Sequence, residues 1–175
     1  MGANVKAGAG AEIFDIVDEH DRVVGQAPRA EVHARGLRHR AVHVLVFNAA
    51  GEVFLQQRSR RKDLAPGLWD SSCSGHLDAG EDYDAAARRE LGEELGLRPP
   101  VPPARWFRIL PCAATAQEFV WVYRLAAEGP FVLHPEEIER GAWVQPDELW
   151  RWQAREPRAF APSFKLVWAM VLQRR

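Results

Sequence analysis

Cysteine is scarce in this chain. Cys73 and Cys112 are the only two in 175 residues. That is too few for a disulfide framework, so a packed core must hold the fold, and a reducing cytoplasm is the expected setting. No apolar run approaches the roughly 20 residues that span a bilayer, which excludes a transmembrane helix. An excess of one charge is also lacking. The formal net charge is −1, so bulk electrostatics make no case for nucleic acid. Met1–Ala11 is rich in Gly and Ala and has no apolar stretch of the signal-peptide kind, so residues 1–11 are expected to be a loose tail. No internal repeat is found.

What is present is ordinary globular material, 47% hydrophobic and 27% charged. Residues 12–175 are enough for one domain with an adequate core. Glu12–Val17 and Arg22–Ala27 flank the turn-like Asp18-Glu19-His20-Asp21 and read as a hairpin. Ala41–Phe47 is apolar and β-branched and reads as a central strand, followed by a turn and then Val53–Gln57. Trp106–Leu110, Glu118–Leu125 and the short Gly141–Val144 are further strands. Pro99–Pro103 is a stiff connector. Pro146–Trp152 and Pro162–Gln173 read as helices, the second with Phe164, Val167, Trp168 and Val171 at helical spacing for the core. Strands and helices mixed in this order predict an α/β fold, a sheet covered by helices on both faces.

Asp82–Leu95 carries the chemistry. Asp82 suits an N-cap, Gly96 a C′ stop, and Ala87, Leu91 and Leu95 form an apolar stripe. Glu90, Glu93 and Glu94 stand at i, i+3 and i+4, so they share one helix face. Like charges there oppose the helix by a few tenths of a kcal/mol per pair. A bound cation reverses that sign. Hard cations such as Mg²⁺ take oxygen ligands from a few carboxylates together with substrate phosphates. The plain alternative is a solvated acidic face. Gly92, in mid-helix, suggests close approach by a neighbouring loop, and Gly80 suits a tight turn.

Five residues separate Gly75 from Glu81 and seven separate Glu81 from Arg89; Glu90, Leu91, Glu93, Glu94, Gly96 and Leu97 follow. This resembles the Nudix signature, G-x5-E-x7-R-E-U-x-E-E-x-G-U with U aliphatic, at every defined position. The resemblance implies an α/β/α sandwich with a mixed sheet and cleavage of a diphosphate joined to another group. It implies Mg²⁺, with Mn²⁺ as an alternative ion. Glu90, Glu93, Glu94 and the Gly75 carbonyl would be the metal ligands. Arg89 would orient a glutamate and Glu81 would brace the loop.

A second resemblance runs from about Glu12 to Trp168. It includes Gly36-Leu37-Arg38-His39-Arg40-Ala41, Gln56-Gln57-Arg58, Pro66-Gly67-Leu68-Trp69 and Gly75-His76. These are similar to type 1 isopentenyl-diphosphate isomerase, a Nudix-fold enzyme that moves a double bond. That enzyme's cysteine, five residues after the tryptophan, corresponds to Ser74 here, with Cys73 one place early. One of its paired acids is missing from Ala116-Gln117-Glu118. His33, His39 and His76 match its metal histidines, and Glu118 completes a His/Glu set.

The reading is a Mg²⁺-dependent hydrolase of a nucleoside-diphosphate-type substrate. Catalytic positions are Glu94, Glu93, Glu90 and Arg89. Substrate contacts are expected from Arg58 and Lys62, in a basic loop, and from His76 and Glu118. The general base is Glu94 or an acid from another loop, among Glu118, Glu136 and Glu137. Trp69, Trp106, Phe119, Trp121 and Trp143 are candidates for stacking a nucleobase, and His43, alternating away from Val42 and Val44, for facing substrate. Alternative readings are the isomerase and a non-catalytic nucleotide-binding module. The expected partner is a small diphosphate, without nucleic acid or membrane, and a homodimer is left open.

Overall fold

The computed structural model describes residues 12–174; the tail expected at residues 1–11 lies outside them. In chain order the elements are β1 (Ile13–Val17), β2 (Val23–Pro28), α1 (Arg29–Arg35), β3 (His39–Phe47), β4 (Val53–Arg58), β5 (Trp69–Asp70) and β6 (Cys73–His76). Then come α2 (Tyr83–Leu95), β7 (Ala104–Ile109), β8 (Glu118–Ala126), β9 (Ile138–Val144), α3 (Pro146–Arg155) and α4 (Pro162–Leu172). β1 and β2 form a separate antiparallel pair. The remaining seven strands make one mixed sheet.

The sheet is built around a hairpin that splits. Asn48 O accepts from Gly51 N at 3.0 Å, and Gly51 supplies the positive φ of 77° that closes the turn. β3 and β4 pair at Phe47 and Val53 and then diverge. The Trp69–His76 segment fills the wedge. β5 pairs with β4, and β6 pairs with β3. Ser72 bridges the two arms: its Oγ accepts from Val46 N at 2.8 Å and donates to Phe54 O at 2.5 Å. β8 runs parallel to β3 on the other side, with His39 opposite Glu118, and β7 flanks β8. β9 pairs with β4 at the far edge.

Strand alternation divides the side chains between two layers. Ala41 and Leu45 of β3 and Val120 and Val122 of β8 pack with Leu149, Phe164, Val167, Trp168 and Val171 of α3 and α4. Val42, Val44 and Val46 with Tyr123 and Leu125 pack against Ala87, Leu91 and Leu95 of α2. The sandwich and the helical core stripes are as the sequence indicates. Trp168 is fully buried in the first layer. Trp168→Ala is expected to cost about 3–5 kcal/mol through lost burial and a residual cavity, read as a lower urea midpoint.

Three elements depart from the sequence reading. α1 follows Pro28 and ends at Gly36 in the left-handed region, φ 59°. β5 and β6, Trp69–Asp70 and Cys73–His76, are short and carry no strand pattern. Their conformation comes from the wedge they fill. Gly92 is also corrected: a Cβ there would meet only Arg98 Nε at 3.9 Å, so no loop approaches it.

Candidate active site

The start of α2 is set by Asp82, whose carboxylate accepts from Asp84 N and Ala85 N, both at 2.9 Å. Its end is Gly96 in the left-handed region. This places Glu90 and Glu94, each 3% exposed, against β6, with Glu93 more open. The contact is close enough to need a glycine. A Cβ on Gly75 would stand 2.1 Å from Glu90 Oε1. Gly80 sits in a turn with φ 80°, as expected.

Arg89 ties this assembly together. Its Nε and Nη2 donate to the two Glu81 oxygens at 2.9 and 2.7 Å, Nη1 to Glu90 Oε1 at 2.7 Å and Glu93 Oε2 at 3.4 Å, and Nη2 also to His76 O at 2.9 Å. Burial works against its charge, but hydrogen bonding to Glu81 and the charge of Glu90 raise its pKa above the arginine range. Glu81 in turn accepts from Asp78 N at 3.0 Å. Glu94 Oε2 accepts from Gln56 Nε2 at 2.9 Å and Ser74 N at 3.2 Å. Lysine at position 89 cannot reproduce this fork. Arg89→Lys is expected to lower turnover about 10- to 100-fold while the protein stays folded, measured by steady-state kinetics beside a thermal melt.

These groups open onto a cleft of about 750 Å³. Arg58 and Lys62 line it, each held by an acid: Arg58 Nη1 lies 3.3 Å from Asp70 Oδ2, and Lys62 Nζ donates to Glu137. Glu118 and Glu137 line the cleft, whereas Glu136 is exposed outside it. The aromatic expectation is corrected: Trp69, Trp106, Phe119, Trp121 and Trp143 are all absent from the cleft wall. Trp69 and Trp106 pack in the α4 layer, and Trp121 and Trp143 in the α2 layer. Phe119 is 1% exposed beneath Arg108.

A second cluster shares the cleft. Strand register puts His39 beside Glu118 and His76 beside Ala41, so their side chains meet on one face, and α1 adds His33. The ligand nitrogens of the three histidines lie within 4.8 Å of one another. His76 Nε2 is 3.0 Å from Glu118 Oε1 and His39 Nε2 is 3.5 Å from it. Phe14 stacks on His76 at 4.7 Å. Burial pushes the Glu118 carboxyl up, but the N–H groups of His39 and His76 outweigh it and hold it well below the usual range. Burial lowers His33 to about 4, with the charges of His76 and His39 adding to it. Burial likewise lowers His76, against the pull of Glu118. Three imidazoles with one carboxylate are a donor set that suits a borderline transition metal.

One cleft residue has no counterpart in the sequence reading. Arg29, 7% exposed, donates to Glu12 Oε2 at 2.9 Å and to Asp63 at 2.9 and 3.0 Å, so it clasps the basic loop to β1. Its signal in the sequence was only its place between Pro28 and Gly36.

Comparison with known proteins agrees with this architecture. The NUDIX domain profile matches residues 37–164. An uncharacterized Nudix hydrolase of Pseudomonas aeruginosa is 38% identical over 149 residues, 81% of this chain and 83% of that protein. Isopentenyl-diphosphate Delta-isomerase 2 of Photorhabdus laumondii is 33% identical over 159 residues, 89% and 90% of the two chains. A crystal structure of a Deinococcus radiodurans protein superposes with a TM-score of 0.74 at 31% identity, covering 86% of this chain and 91% of that one. The chain belongs to the Nudix family. Its class is that of hydrolases acting on pyrophosphate bonds, a family that uses divalent metal ions. Among the described residues no helix is long and apolar enough to cross a membrane.

Proposed function

We propose that this protein hydrolyses a phosphoanhydride bond in a nucleoside-diphosphate-type substrate, diphosphate-X, with Mg²⁺ or Mn²⁺. The observation that carries this is Glu90 packed on the side-chain-free Gly75, with Glu93 and Glu94 lining the same cleft as Arg58 and Lys62. The donor set fits a hard cation: all oxygens, from Glu90, Glu93, Glu94 and the Gly75 carbonyl. The ion supplies charge neutralisation of the diphosphate and a lowered pKa for water.

The residues do the positioning. Arg89, held by Glu81, fixes Glu90 and Glu93 in their rotamers. Glu94, oriented by Gln56 and Ser74 N, is the general base of this reading. Arg58 and Lys62 turn from Asp70 and Glu137 toward the phosphates. His76 and Glu118 close the other wall beside group X. Such catalysis is mostly alignment and charge compensation.

A second reading, isomerisation of isopentenyl diphosphate, is favoured by the His33, His39, His76 and Glu118 cluster and by the Photorhabdus relative. Under it the cluster holds a cation of its own. Against it, Ser74 stands where the isomerase has its cysteine, and Cys73 is fully buried on the α2 side. The test is product formation from nucleoside di- and triphosphates, nucleotide sugars, dinucleotides, coenzyme A and isopentenyl diphosphate with Mg²⁺. Phosphate-bond cleavage of one class supports hydrolysis. An allylic isomer with its diphosphate intact overturns it.

A further inference from the structure

His43 lies in the central strand on the face it shares with Ala41 and Leu45, where hydrophobic residues are the rule. It is 4% exposed, yet it lines the cleft. Its cross-strand partner on β6 is Ser74, whose N–H donates to Glu94. The pairing therefore sets the His43 backbone beside the residue whose N–H holds the proposed base.

One ring nitrogen is committed to the protein. Nδ1 is 2.6 Å from Ser71 Oγ and 3.8 Å from Asp70 Oδ1. Ser71 Oγ is 3.3 Å from Asp70 Oδ1 and 3.4 Å from Cys73 O, both acceptors, so it has somewhere to donate and is free to accept from the ring. Asp70 is itself paired with Arg58. A carboxylate on that side of the imidazole favours the proton on Nδ1. Nε2 then carries the lone pair, and it has no protein partner among the described residues. An acceptor on a ring fixed by a hydrogen bond and by strand packing is a preorganised reading head. A histidine serving only to hold the β5–β6 wedge would have no reason to line the cleft.

We propose that His43 is a specificity-determining residue. Its Nε2 accepts a hydrogen bond from an N–H or O–H donor on group X and so selects among diphosphate-X compounds. This rests on the hydrolase reading for its substrate class. The donor is identified by chemistry alone: an amino group on a base, or a sugar hydroxyl.

The experiment measures affinity by calorimetry and turnover on the same full-length samples with Mg²⁺. It uses matched pairs that differ in one donor: the 5′-diphosphates of adenosine and of purine riboside, those of cytidine and of 2-pyrimidinone riboside, and the ribose against the 2′-deoxyribose forms. Wild type is compared with His43→Phe, which deletes the acceptor, His43→Gln, which keeps one, and Ser71→Ala, which frees the ring. The expected result is a preference of about tenfold or more for the donor-bearing member of one pair, carried mostly by affinity and KM. The preference falls to near unity in His43→Phe and is partly kept in His43→Gln. If His43→Phe does not fold, Ser71→Ala carries the same expectation, because a ring without its anchor discriminates less. A preference that survives in folded His43→Phe, or in Ser71→Ala where His43→Phe does not fold, or its absence from every pair in wild type, overturns the inference and leaves hydrolysis standing. A preference in binding that depends on His43, without turnover of any compound, supports the inference and overturns hydrolysis. Absence of both binding and turnover overturns both.

Discussion

Gly75→Ala is expected to abolish most turnover although it adds one methyl group far from any turn. Gly75 lies in regular strand, paired with Val42, so backbone freedom is not the reason. Space is. The added carbon would stand 2.1 Å from Oε1, 2.2 Å from Cδ and 2.7 Å from Oε2 of Glu90. Glu90 is buried and gripped by Arg89 at 2.7 Å, so it cannot swing aside without breaking that bond. Either the carboxylate or β6 moves by about an ångström. A shift of that size costs about 10²-fold in a positioned site. Overpacking should also cost about 1–3 kcal/mol of stability. Steady-state kinetics and thermal unfolding check the two effects separately. Turnover within a few-fold of wild type would show that Glu90 is not held as described.

Glu94→Gln is expected to separate chemistry from folding more cleanly. The amide keeps the shape and one oxygen for Gln56 Nε2 and Ser74 N, so the melting temperature should change little. It removes the negative charge and the proton acceptor. Turnover should fall about 10²- to 10⁴-fold, with KM far less affected. A variant that loses KM and keeps kcat would instead make Glu94 a binding group and return the role of base to Glu118 or Glu137.

The chain announces its catalytic helix more clearly than its cleft. The period of Ala87, Leu91 and Leu95, and that of Glu90, Glu93 and Glu94 on the neighbouring face, needs only helix geometry, and Asp82 and Gly96 mark the ends by local chemistry. The strands with β-branched runs, such as β3, are equally legible. Asp70-Ser71-Ser72 is not, because its place comes from the gap between β3 and β4 and from the Ser72 bridge, which are tertiary facts. The tryptophans mislead for a related reason. Composition says they are many; strand alternation and helix docking, visible only in the assembled sheet, send them into the two packed layers. Arg29 is hidden in the same way, since a charged residue in a short helix looks solvated until Glu12 and Asp63 close around it. His33, His39 and His76 are separated along the chain; the register of β3 with β6 and the placement of α1 make them neighbours.

Attack by water on the diphosphate at the glutamate site, rather than by an enzyme thiol or through isomerisation, is tested by turnover of the best nucleotide substrate in ¹⁸O-labelled water with Mg²⁺, for wild type and Glu94→Gln. The expected result is label in one phosphate-bearing product, activity lost with chelator and restored by Mg²⁺, and loss in the variant. Unlabelled products, or turnover unchanged by Glu94→Gln and by chelation, would contradict it.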